Sequence, residues 1–186
     1  MKTISDTIAV LSSKNFTVIL EDGRTIQFFF KPNNFFHLLG LQHLEDMPSI
    51  SNAKNKASIA KQLGRDVNLF KQIKQSAHYY KIQERIETFE KIAEMLLSDK
   101  CEIVINFDKS RVPSSKIIST LLFFKTDDHI VYYMLGLAEG KQGNYYPETY
   151  IVEHSRYYIS NQDLLYCDIR HEDFIPAKRK TIKQQK

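Results

Sequence analysis

Tryptophan is absent from this chain and cysteine nearly so, with two among 186 residues. Cys101 and Cys167 are too few for a disulfide framework. Neither they nor the six histidines show metal-ligand spacing, so reduced thiols, no metal and no cofactor are expected. Six glycines and five prolines argue against a low-complexity or fibrous chain. A Gly-rich phosphate fingerprint is also lacking, which makes nucleotide-triphosphate and dinucleotide enzymes poor candidates. No apolar run approaches membrane-spanning length, so a soluble cytoplasmic protein without membrane contact is expected. Serines are many, but none sits in a nucleophile elbow, and no cysteine has a recognisable catalytic partner.

What is present is an aromatic, mildly basic chain. Ten Tyr and twelve Phe within 42% hydrophobic residues describe one substantial core rich in half-buried sheet. The net charge of +4 and pI near 8.9 are compatible with a phosphate-bearing partner. A single domain is expected over 1–176, followed by a basic tail at 177–186 with Lys178, Arg179, Lys180, Lys183 and Lys186.

Along the chain, Ile4, Ile8 and Leu11 predict a helix over 3–12. β-Rich runs at 16–20 and 25–30 flank Asp22-Gly23, a hairpin signal. The hairpin leads into Lys31-Pro32-Asn33-Asn34-Phe35-Phe36-His37-Leu38-Leu39-Gly40-Leu41. Here Pro32 ends the strand, Asn33 or Asn34 is expected to cap a short helical turn, and Gly40 to close it in the left-handed conformation. The polar segment 47–64 reads as a surface connection with a short helix around Ile59. Asp66 caps a helical pattern running to Leu97, with a break expected near 76–80. Strands are expected at 101–107, 116–125, 129–137, 148–154 and 164–170. This order implies an α+β domain whose helices pack on one face of an antiparallel β-sheet, with an N-terminal β-hairpin. The hairpin and His turn occupy 14–45, the helical part 66–98 and the sheet 101–170.

Two stretches carry candidate chemistry. His37, pinned among Phe35, Phe36, Leu38 and Leu39, has a fixed direction and can titrate near neutral pH, two properties a general acid or base needs. Its ordinary role would be a hydrogen-bonded core histidine. Strand alternation puts Thr149, Ile151 and Glu153 on one face and Glu148, Tyr150, Val152 and His154 on the other. Arg156, Tyr157 and Tyr158 follow as a cation beside aromatics, either a plain edge strand or a surface for phosphate and stacked bases. Arg85 flanks the buried helical stripe; its ordinary partners would be Glu84 or Glu90. A mildly basic protein with His, Arg, Lys, Thr, Tyr and Glu and no metal cluster has the residue types of metal-free RNA cleavage.

Phe35-Phe36-His37-Leu38-Leu39-Gly40-Leu41 after a strand, Arg85 with Phe89 on a helix, and Glu148-Thr149-Tyr150-Ile151-Val152-Glu153 near the end resemble the fourth phage-type subfamily of the Barnase-EndoU-Colicin-RelE nuclease superfamily. The resemblance covers residues 16–168. It implies N-terminal helices followed by a four-stranded antiparallel sheet, and a metal-independent ribonuclease encoded by phages or mobile elements, a toxin or effector. The expected roles are His37 as general acid or base, Arg85 and Lys125 as phosphate-stabilising cations, Thr149 as positioning hydroxyl and Glu153 as a second acid–base group. Lys31, Lys125, Arg156 and Tyr157 would bind substrate. The expected partners are RNA and an inhibitor or antitoxin protein. The alternatives are a catalytically inactive module of the same fold that binds RNA or protein, and a structural protein whose His37 ties the turn to the core.

Overall fold

The computed structural model describes residues 3–97, 102–127 and 130–174; the basic tail at 177–186 and Cys101 lie outside the described residues. Among the described residues, seven strands form one antiparallel sheet. They are β1 (Lys14–Leu20), β2 (Thr25–Phe29), β3 (Glu102–Asn106), β4 (Leu121–Asp127), β5 (Val131–Glu139), β6 (Tyr145–Glu153) and β7 (Asp163–Asp173), in the order β2-β1-β7-β3-β4-β5-β6. The Asp22-Gly23 turn joins β1 to β2, and β1 then pairs along its whole length with β7. The hairpin therefore extends the sheet, which is seven strands wide where the family resemblance implied four. Contacts between β2 and β6, at opposite ends of that order, show that the sheet curls until its edges approach.

Helices α1 (Ile4–Ser12), α2 (Pro32–Leu38), α3 (Pro48–Ser51), α4 (Lys56–Leu63), α5 (Val67–Lys74), α6 (Gln83–Glu87) and α7 (Lys91–Leu96) pack on one face. Thr3 opens α1 with a reciprocal capping box to Asp6, and Asp66 opens α5 by accepting from the Asn68 and Leu69 N–H groups. The expected break near 76–80 lies within a wider one from Gln75 to Ile82, and Thr88 adds a second break between α6 and α7. The segment 47–64 is more than a surface connection. It carries α3 and α4, buries Ile50, Ala60 and Leu63, and packs α4 against α2. Its polar composition hid this packing, because Ala60 and Leu63, with partly buried Ile59, suffice to bury one face of the eight-residue α4.

The main core lies between helices and sheet, with Phe16, Phe35, Phe36, Phe89, Phe123 and Tyr150 among its largest members. A second cluster on the other sheet face packs Ile105, Leu122 and Met134 beneath Phe107, Val112, Ile117 and Ile159 from two long loops. No helix is long and apolar enough to cross a membrane among the described residues.

Candidate active site

The site is assembled around Gly40. Pro32 occupies the first position of α2, where its missing N–H costs nothing. The cap differs from the expected one: Lys31 is the N-cap residue, and Asn34, three positions on, accepts the Lys31 N–H at 2.8 Å. The Asn34 side chain also donates from Nδ2 to the Pro147 carbonyl at 2.9 Å, pinning the turn to β6. Gly40 takes the expected left-handed conformation at φ +76°, and a Cβ there would stand 2.8 Å from Ile82 Cγ2 and 3.3 Å from Arg85 Cδ. Only glycine allows both the backbone conformation and this approach to α6. Its N–H donates to the His37 carbonyl at 3.0 Å, and its carbonyl accepts the His43 N–H at 2.9 Å. His37, His43 and Arg85 are thus brought to one turn.

Arg85 is partly buried and makes no hydrogen bond or ion pair among the described residues. Its expected partner Glu84 is instead 2.7 Å from His154 Nε2. Burial pulls the Arg85 pKa down, opposed by Glu148, Tyr150 and Tyr158. Tyr150 holds α6 in place: its fully buried phenol donates to the Thr88 carbonyl at 2.8 Å and lies 2.9 Å from Thr88 Oγ1.

Glu148 faces this guanidinium because β6 is bulged. Gly136 pairs with Thr149 while Leu137 pairs with Pro147, which leaves Glu148 as the extra residue on β6. Bulges re-aim side chains in this way beside active sites. Ser119 Oγ donates to Glu148 Oε2 at 3.1 Å. Burial raises the Glu148 pKa, with the Ser119 hydrogen bond and the Arg85 charge pulling it back. Gly136 makes the room, since a Cβ there would collide with Ser119 Oγ and stand 2.7 Å from Thr149 Cγ2. Gly40 thus joins the His37 turn to Arg85, whose charge influences Glu148 without an ion pair, and Glu148 is in turn tied to Ser119 beside Gly136 and Thr149.

A family model described as phage-Barnase-EndoU-ColicinE5/D-RelE like nuclease4 matches residues 3–186, essentially the whole chain. The chain belongs to this nuclease family. No curated protein and no solved structure matches it.

In this nuclease-family chain the two histidines differ in setting. His43 is depressed by burial first, then by Arg85, Lys81 and His37, with Glu45 opposing, and its Nε2 lies 3.2 Å from Gln42 Nε2. His37 is depressed by burial and by Lys56, and packs edge-on against Phe36. It is partly exposed and makes no side-chain hydrogen bond among the described residues, unlike a satisfied core histidine.

The remaining sequence candidates have surroundings of their own. Lys125 is bonded to Glu94 at 2.8 Å, and Glu153 accepts from the His154 N–H at 3.0 Å and Ser155 Oγ at 2.9 Å. Lys31 lies over the Phe29 ring at 5.6 Å; Tyr157 is hydrogen-bonded to Ser114, and Arg156 is exposed. Among the described residues no three His, Cys, Asp or Glu side chains are grouped as metal ligands would be. Sequence reasoning missed His43, Ser119 and the orientation of Glu148. One signal was available: Gly136 interrupts an apolar strand, a mark of a bulge or close approach.

Proposed function

We propose that the protein is a metal-independent RNA endonuclease that cleaves by 2′-hydroxyl transesterification at the bulged edge of β6. The observation that carries this reading is the Arg85 guanidinium, partly buried and without a hydrogen-bonded or ion-paired partner among the described residues, beside an acid and a base. Arginine is suited to a phosphate through its planar fork of donors.

In this reading His43 takes the 2′-hydroxyl proton, because its depressed pKa leaves the imidazole unprotonated at neutral pH. The 2′-oxygen attacks the adjacent phosphorus, forming the O2′–P bond. Arg85 meets the charge that accumulates on the phosphorane. The P–O5′ bond breaks as Glu148, whose raised pKa favours its protonated form, hands its proton to the 5′-oxygen. The products are a 2′,3′-cyclic phosphate and a 5′-hydroxyl. Thr149 and Ser119 set the position of Glu148, and His37 adjoins His43 as a second imidazole. A cytoplasmic toxin or effector of a phage or mobile element, held in check by an inhibitor protein, fits such an activity.

The test is incubation of the purified protein with mixed RNA in excess chelator, with product ends analysed. Wild type is expected to leave cyclic phosphates. Arg85→Ala should lose about 10²- to 10³-fold in rate, and His43→Gln roughly 10²- to 10⁴-fold with a lost acidic limb of the pH profile. A defect confined to His37→Gln would move the base to His37. Uncut RNA with folded wild-type protein would favour the inactive binding module.

A further inference from the structure

The edge strands β2 and β6 approach each other without pairing, and a cleft of about 730 Å³ lies between them. Its walls include Asn15, Gln27, Lys31, Lys141, Tyr146 and Glu172. Gln27 pairs across from Thr17, and Asn15 lies two residues along the same strand, so both carboxamides project from one face of the hairpin. Neither side chain is hydrogen-bonded among the described residues, and neither Lys31 nor Lys141 has a carboxylate partner there. Glu172 is directly across from Asn15 on β7. Tyr146 lies close over Gly140, its ring edge 3.4 Å from where a Cβ would be. Asn34, which lines the cleft, is bonded to Pro147, the residue before Glu148, so the cleft reaches β6 beside its bulge.

We infer that this cleft is a base-recognition subsite for an adenine nucleotide of single-stranded RNA, beside the phosphate that Arg85 engages; the inference rests on the ribonuclease reading. A carboxamide offers donor and acceptor side by side, the complement of adenine N7 and N6. The Glu172 carboxylate accepts the second N6 proton, and it repels uracil, which carries the O4 acceptor in that place. The Tyr146 ring supplies a stacking face, which serves any base. Lys31 and Lys141 hold the flanking phosphates without regard to sequence.

The test uses fluorescently labelled 2′-O-methyl decamers of adenylate and of uridylate, which the protein can bind but cannot cleave by 2′-hydroxyl attack. Full-length wild type should bind the adenylate decamer at least about fivefold tighter. Gln27→Thr, a β-compatible change at an exposed position, and Asn15→Ser should each narrow that preference. Lys31→Ala with Lys141→Ala should weaken both decamers equally. Equal affinities in wild type, or a preference that survives Gln27→Thr and Asn15→Ser in folded protein, would overturn the subsite. RNA cleavage measured in parallel separates the two readings: a wild type that cuts mixed RNA yet shows no preference fails only here, while one that prefers adenylate yet cuts nothing fails only as a nuclease.

Discussion

At the scale of single residues, the candidate site is marked by charged groups left without ion-pair partners among the described residues. An arginine enclosed against Gly40 and Ile82 would ordinarily find a carboxylate, yet Glu148 stays beyond ion-pair distance and Glu84 is taken by His154. That arrangement costs the free protein and leaves the guanidinium ready for an anion. The histidines carry a measurable consequence. Their folded pKa values lie below the ordinary 6.5, so as pH falls through that region the unfolded chain takes up protons first and folding loses stability. Glu148 acts in the opposite sense: its raised pKa gives stability below its ordinary 4.5 that is lost as pH rises. The melting temperature of wild type should therefore decline from about pH 7 toward pH 5. His43→Gln should flatten that decline, and an unchanged slope in this variant would show that His43 is not held neutral by its surroundings.

At the scale of elements, three pieces of backbone meet on β6: the turn after α2, the short α6 and the bulge. The first was legible in the sequence, because Pro32 and Gly40 punctuate it whatever the tertiary context. The bulge was not. Strand alternation correctly paired Tyr150 with Val152 on the helix face, but it cannot register an extra residue, and Glu148 is that residue. Ser119 was hidden in the same way, inside a run expected to be strand from 116, whereas β4 begins at Leu121. Tyr150 is the joint between α6 and β6. Tyr150→Phe would keep the ring packing and remove the phenol from both the Thr88 carbonyl and its hydroxyl. A loss of about 1 to 3 kcal/mol is expected for orphaning such buried groups. Loosening α6 should also lower cleavage through Arg85 while binding of RNA persists. Denaturant unfolding alongside RNA cleavage checks this: native stability with reduced cleavage, or the reverse, would uncouple Tyr150 from one of its two roles.

At the scale of the whole molecule, a sheet that curls until its edges approach brings together the bulged edge of β6 and the amide-lined cleft beside β2, the two places proposed above for RNA. The α+β class was readable from the switch between helical and strand periods. The pairing of the hairpin with β7 was not, since the two segments are separated by more than a hundred residues and share no local signal. Long-range attraction is a separate contribution, and composition alone bears on it. The tail at 177–186 holds five of the 26 Lys and Arg residues and no acid, so its removal reverses the sign of a net charge of +4. Lysines that neutralise phosphates release counterions, and each lost contact lowers the slope of log affinity against log salt by about 0.7 for a single strand. Deleting 177–186 should accordingly weaken RNA binding at low salt, make the slope shallower, and leave both the cleavage products and any adenylate preference as they are. Salt titrations of the full and shortened chains with the same oligonucleotide measure this. Identical slopes would show that the tail makes no phosphate contact, and a large drop in melting temperature on its removal would show that it packs on the domain.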